Sequence, residues 1–222
     1  MSLMADLLPC IVVAPVFQEE SNIRDFVERL HKSISPGSEL IIVDDGCTDQ
    51  TVELLRHSAA SIASDELAIR LVTLSRNFGH QRAVIAGLEV AAKRARETTI
   101  DCISVIDADL QDRPEHIGDL LAAIENHDVA YAIRASRRES MMFRIGADIF
   151  YKALARWARS PVPPNAGTFS MMRTSVVDVM LDNVDENVFF PGLRAWVGFD
   201  QVSVPLDRDG RQHGESRVGL KG

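Results

Sequence analysis

Short apolar runs alternate along the chain with segments whose apolar residues recur at helical spacing. Cys10–Ala14, Glu39–Val43, Ile69–Ser75, Cys102–Ile106 and Asp128–Ile133 have the length and the β-branched character of strands. Between them lie the amphipathic stretches Ser21–Ser33, Asp49–Ser61, Gly79–Arg96 and Glu115–Asn126. Pro114 stands at the start of the last, where a helix accepts proline because its first N–H groups have no partner inside the helix. Strands that are apolar almost throughout, separated by helices, predict an α/β fold with a mostly parallel central sheet and helices on both faces.

After Arg134 the alternation gives way. Ser140–Arg159 reads as a long helix with Phe143, Phe150, Tyr151, Leu154 and Trp157 on its apolar side, and Ser160–Asn165 as a proline-rich turn. Thr168–Met172 reads as a strand, Asp185–Val197 as a helix and Gln201–Pro205 as a strand. No internal repeat or low-complexity segment occurs. The 222 residues suit one domain.

Sheets of this kind bind ligands beyond the carboxyl ends of their strands. Pro15–Glu20, Asp44–Asp49, Ser75–Gln81 and Asp107–Asp112 are all polar, and the pattern puts all of them at that one end. Asp107 and Asp109 flank one residue directly after a core strand, where two carboxylates can grip a divalent cation; hard oxygen ligands suit Mg2+ or Mn2+. A second such triplet, Asp207–Asp209, lies in a polar tail and carries no metal expectation. Gln111 and Asp112 extend the first cluster, with Asp112 read as helix N-terminal charge. Asp44 and Asp45 are adjacent like charges that call for a binding partner, such as base N–H groups or a ribose. Thr48 or Asp49 caps the helix that follows, and Ser21 or Asn22 caps the earlier one. Glu19 faces the same crevice and suits ribose hydroxyls, while Arg76 at the start of a helix suits an anion.

Charge narrows the functions. Lys+Arg 24 against Asp+Glu 32 gives −8, without the electrostatic footprint of a nucleic-acid-binding protein. Phosphate handling by an acidic chain requires a metal ion or a local basic patch, and two patches exist: Arg134, Arg137, Arg138 and Arg144, and Arg208, Arg211, Arg217 and Lys221. They suit phosphate groups or an anionic membrane surface. Cys10, Cys47 and Cys102 read as buried thiols of a reducing compartment. The apolar stretch Leu7–Phe17 is far short of the ~20 residues that span a bilayer, and no charged-then-apolar leader pattern with a cleavage site is expected from these residues. Met1–Leu3 before Met4 and the abrupt end at Gly219–Gly222 suggest a trimmed chain. No zinc-protease His spacing, nucleophile elbow, P-loop or dinucleotide fingerprint is present.

Val13-Ala14-Pro15-Val16-Phe17-Gln18-Glu19-Glu20, Val43-Asp44-Asp45-Gly46-Cys47-Thr48-Asp49, Ser75-Arg76-Asn77-Phe78-Gly79-His80-Gln81 and Asp107-Ala108-Asp109-Leu110-Gln111-Asp112 occur in that order. Phe189–Phe199 and Gly214–Arg217 follow. Together they resemble the family 2 inverting glycosyltransferases of GT-A fold, in particular the polyprenyl-phosphate branch of dolichol-phosphate mannose synthases and undecaprenyl-phosphate sugar transferases. The resemblance implies one GT-A catalytic domain, with residues 1–134 as a Rossmann-like nucleotide-sugar half and 135–222 as the acceptor side. Pro15, Val16, Glu19, Asp44, Asp45 and Arg76 would serve the nucleotide. Asp107, Asp109 and Gln111 would hold the metal and diphosphate. Arg134, Arg138, Arg211, Ser216 and Arg217 would meet the acceptor phosphate, Arg138 taking part in catalysis with Asp107 and Asp109. Membrane helices follow in many relatives, so the expected location is the cytoplasmic face of a membrane; a homo-oligomer stays open.

This chain departs from the family pattern at Cys47 (commonly Ser), Arg113 (commonly Pro), Pro191 (often Arg), Thr168 and Ser170 (an acid and a base in relatives) and Arg217 (usually Lys). The expected reaction is hexose transfer from UDP-glucose- or GDP-mannose-type donors to polyprenyl phosphate. Two alternatives stand beside it: a glycan or protein hydroxyl acceptor, with Asp182 or Glu186 as base, and a degenerate nucleotide-sugar-binding protein.

Overall fold

The computed structural model describes residues 8–62, 66–134 and 166–207. The expected helix Ser140–Arg159 and turn Ser160–Asn165 lie outside the described residues, as do Arg138, Arg211, Ser216, Arg217 and the side chain of Arg134.

Among the described residues seven strands form one sheet: β1 (Ile11–Val16), β2 (Ser38–Asp44), β3 (Leu67–Thr73), β4 (Cys102–Val105), β5 (Val129–Arg134), β6 (Ala166–Arg173) and β7 (Gln201–Leu206), in the order β3-β2-β1-β4-β6-β5-β7. Neighbours are parallel except that β6 runs antiparallel to both β4 and β5. The fold is α/β with a mostly parallel sheet, as the alternation predicts. β1 and β2 are buried at every position, which is why their sequences carry no polar stripe.

Alternate strand residues feed two cores. Val12, Ala14, Leu40 and Ile42 pack with α1 (Ile23–His31), α2 (Thr51–Ala60) and α4 (Ile117–Ile124) on one face. Ile11, Val13, Ile41, Val43 and Val105 pack on the other face with α3 (His80–Glu97), α5 (Thr174–Leu181) and α6 (Phe190–Trp196). Gly87 lets α3 approach closely: a Cβ there would lie 2.3 Å from a Val13 methyl. Glu39, at the end of β2 away from the polar loops, is held by Arg94 (2.7 Å) and Arg70 (2.9 Å), which keep its carboxyl below the usual carboxylate range.

Two expectations change. The helix predicted over 185–197 begins only at Phe190, because Asp185 Oδ1 takes the Asn187 N–H in a turn and Pro191 fits a first helical turn. Thr174–Leu181 forms a helix that the β-branched run did not suggest.

Candidate functional site

The loops after β1 and β2 are laced by side chains. Gln18, at φ 58°, accepts the N–H groups of Thr48 (2.8 Å) and Asp49 (3.2 Å) and donates its amide to the Thr48 hydroxyl. The Glu19 N–H reaches the Thr51 hydroxyl, which itself donates to Asp49. Asp49 also accepts the Thr51 N–H in a turn leading into α2, whose cap position is Gln50 and carries no side-chain capping bond. Asn22 stands at the first helix's cap position, yet its amide donates to Glu19 Oε2 at 2.7 Å and its side chain makes no capping bond. Cys47 is tolerated because its sulfur takes the Gln18 N–H and donates to the Val16 carbonyl. Burial pushes this thiol up to about 12, so it is neutral at physiological pH.

The two adjacent aspartates have folding roles, which corrects the expectation that only a ligand explains them. Asp44 Oδ1 takes the Cys47 N–H at 2.7 Å, shaping the turn at Gly46. Asp45 uses one oxygen for the Phe78 N–H (2.7 Å) and the other for the Gly79 N–H (2.9 Å), pinning the third polar loop against the second. Gly46 has φ +77°, and a Cβ there would lie 2.7 Å from the Asn77 nitrogen. Only glycine permits the two loops to meet so closely.

Beyond β4, Asp107 and Asp109 emerge where the strand ends. Leu110 takes φ 61°, turning the chain so that Gln111 faces Asp109. His80, the first residue of α3, stands 3.4 Å from Asp107 Oδ1 and 3.4 Å from the Thr168 hydroxyl. Residues from three elements therefore meet at this point. The sequence places His80 in a polar loop at the ligand end and Thr168 among the departures from the family pattern, but not the two together, because their proximity depends on β6 pairing beside β4.

His80, Asp107, Asp109 and Gln111 border a cavity of about 790 Å³, in the range of small-molecule sites, and Thr168 stands just outside its lining. Pro15, Val16, Glu19, Asp45, Asp107, Asp109 and Gln111 line it together with Phe17, Asn77 and His80. Asp44 and Arg76 do not; Arg76 stacks on Phe78 at 4.0 Å and donates to the Asn77 carbonyl. Asp182 and Glu186 do not line it either. Asp112 is buried, and Pro114–His116 forms a 3-10 turn leading into α4.

The donor set fits a hard divalent cation. Asp107, Asp109 and Gln111 line the cavity, and among the described residues no group of three or more His, Cys, Asp or Glu side chains is placed to hold a metal ion by itself. That is the pattern of an ion held by one or two carboxylates together with substrate phosphates. No helix of the described residues is long and apolar enough to cross a membrane.

Comparison with known proteins addresses the family and the fold. The uncharacterized glycosyltransferase YkcC of Bacillus subtilis is 35% identical over 215 residues, covering 95% of this chain and 63% of its own length. The undecaprenyl-phosphate 4-deoxy-4-formamido-L-arabinose transferase of Edwardsiella ictaluri is 30% identical over 213 residues, covering 94% and 62%. This chain thus spans less than two thirds of either relative. Among solved structures, the mannosyltransferase PcManGT from Pyrobaculum calidifontis, in complex with GDP-Man and Mn2+, superimposes with a TM-score of 0.60 at 20% identity, covering 90% of this chain and 57% of that one. The profile of glycosyl transferase family 2 matches residues 11–181, and the chain belongs to that family.

Proposed function

We propose that this chain is the catalytic domain of an inverting, metal-dependent hexosyltransferase that uses a UDP-glucose- or GDP-mannose-type donor and a polyprenyl phosphate acceptor. The observation that carries this reading is the emergence of Asp107 and Asp109 from the end of a central strand into a cavity also lined by Pro15, Glu19 and Asp45. The names of relatives such as the Edwardsiella enzyme support the acceptor class, and the GDP-Man and Mn2+ of PcManGT support the donor class and the cation.

Asp107, Asp109 and Gln111 would hold Mg2+ or Mn2+, which when bound neutralises charge on the departing nucleoside diphosphate. Pro15, Val16, Glu19 and Asp45 flank the nucleoside. Asp44 and Arg76 act on it only through the loops they shape. Residues 135–222 form the acceptor side, and Arg138, Arg211, Ser216 and Arg217 from it, with Arg134 at its boundary, bind the lipid phosphate and align it with the anomeric carbon. A phosphate monoester, with a second pKa near ~6, is already anionic at neutral pH. No strong general base is needed, and orientation with electrostatics supplies the rate. A single displacement inverts the anomeric centre. The protein works at the cytoplasmic face of a membrane.

Incubation with labelled UDP-glucose and GDP-mannose, Mn2+ and polyprenyl phosphate in detergent tests this reading. Product that requires the lipid phosphate and carries an inverted anomeric carbon supports it. Transfer to a glycan or peptide hydroxyl without lipid phosphate, or donor binding with no product, overturns it.

A further inference from the structure

Arg194 on α6 is 1% exposed. Its guanidinium lies over the ring of Tyr131 (4.7 Å) and near that of Phe190 (5.7 Å), and Nη1 donates to the Gly167 carbonyl at 3.2 Å. Nε has no hydrogen-bond partner, and no carboxylate pairs with the group, among the described residues. Burial lowers its pKa to about 10. An isolated buried cation is costly, and a well-packed apolar side chain would serve stability as well or better. Its place in the sheet suggests what it does instead.

β5 and β6 pair regularly from Val129↔Met172 to Tyr131↔Ser170, then shift register and resume at Ile133↔Ala166. Gly167 and Thr168 lie inside that irregularity, the kind of bulge that re-aims a side chain beside a site. Arg194 binds the Gly167 carbonyl there, and the next residue, Thr168, is the one that meets His80. The other side of the contact is braced from the same helix, since the Phe190 N–H donates to Gln81, the neighbour of His80, at 2.7 Å. α6 therefore anchors the neighbours of both members of the His80–Thr168 pair.

The sheet order gives that pair a position along a ligand. β2, β1, β4 and β6 are successive neighbours: Asp45, then Pro15 and Val16, then Asp107 and Asp109 line the cavity at the ends of the first three, and Thr168 on β6, two residues before the Ser170 that pairs with Val105, stands beside them against His80. A donor whose nucleoside lies over β2 and β1 and whose diphosphate meets β4 brings its sugar to β6. Imidazole and hydroxyl groups exchange hydrogen bonds with sugar hydroxyls.

We propose that Arg194 is a positioning residue: by holding Gly167 within the β5–β6 bulge it sets Thr168 against His80, and that pair reads the sugar of the donor. This inference rests on the donor reading above. The test is calorimetric titration, with Mn2+, of the unchanged chain and of Arg194→Met, Arg194→Lys and Thr168→Val, using UDP, GDP, UDP-glucose and GDP-mannose, with thermal melting of each variant. In Arg194→Met and Thr168→Val the affinity for the nucleotide sugar relative to the bare nucleoside diphosphate falls about 10-fold, as for loss of one hydrogen bond. Arg194→Lys, which keeps a donor for Gly167, recovers part of it, and the Arg194→Met, Thr168→Val double variant loses no more than either alone. Equal weakening toward nucleotide and nucleotide sugar, an unchanged ratio, or additive losses overturns the inference. If Arg194→Met does not fold, Thr168→Val reads the same ratio. Absence of any nucleotide binding by the unchanged chain would instead remove the donor reading, and this inference with it.

Discussion

Gln111 folds back on Asp109: its main-chain N–H donates to Oδ1 at 3.1 Å and its side-chain amide donates to Oδ2 at 2.7 Å. Both oxygens of the carboxylate thus carry a donor from one residue, two positions along the chain. A cation meeting Asp109 has to share it with that amide, or the amide has to turn its oxygen toward the ion. Gln111→Glu replaces the amide donor by a second carboxylate. Without divalent cation the variant should be destabilised by about 1 kcal/mol through like-charge repulsion. Mn2+ should then raise its melting temperature by more than it raises that of the unchanged chain. Thermal scans in chelator and in Mn2+ measure both.

Asp45→Ala leaves the Phe78 and Gly79 N–H groups without their acceptor. Asp45 is only 2% exposed, so water does not readily replace it. A loss of about 1–3 kcal/mol is expected, read from the urea midpoint at unchanged slope. Nucleotide binding should weaken as the third loop detaches.

Gly46→Ala attacks the same junction from the other side. The added Cβ meets main-chain atoms of Asn77 (2.7 Å) and Arg76 (2.8 Å), which have no flexible end to swing away, and the residue must hold φ +77°. The cost should reach about 1–3 kcal/mol. A parallel substitution at Gly79 separates the two causes: φ is +91° there, but nothing lies within 4 Å of the added atom, so only the backbone term applies.

The Glu39 carboxyl titrates below its unfolded value because Arg94, then Arg70, hydrogen-bond its charged form. A depressed folded pKa adds stability that is fully present above the unfolded value and lost as pH falls through the folded one. Stability of the unchanged chain should therefore drop in the acid range. In Glu39→Gln that component of the drop disappears, at a cost of about 1.5–3 kcal/mol at neutral pH. Urea titrations from pH 3 to pH 7 compare the two. Glu39 lies at the opposite end of β2 from Asp44, so donor affinity per folded molecule should not change.

Much of the fold is legible in the residues. β1 and β2 announce themselves by continuous burial, and α1 by the spacing of Ile23, Phe26, Val27 and Leu30. The carboxyl ends of β1, β2 and β4 collect Pro15, Asp45, Asp107 and Asp109 in one cavity, as parallel topology requires. What sequence does not carry is non-local. That β6 inserts antiparallel between β4 and β5 depends on pairings such as Val105↔Ser170, 65 positions apart in the chain, and no local pattern encodes them. The approach of Thr168 to His80 is hidden for the same reason. Thr174–Leu181 is rich in β-branched residues, yet burial of Val176, Val177 and Met180 on one side against the sheet outweighs that propensity. Asp44 and Asp45 look like ligand groups because their N–H partners lie in turns, one of them 33 residues distant, that only the folded loops bring near.

The central claim is that Asp107 and Asp109 bind a nucleoside diphosphate through a divalent cation. Titration calorimetry of UDP and GDP, with and without Mn2+, on the unchanged chain and on Asp109→Ala measures it most directly. The account predicts that binding depends on Mn2+ and weakens by about 100-fold or more in Asp109→Ala, with the fold intact by melting. Nucleotide binding of equal strength in both proteins, indifferent to Mn2+, would contradict it.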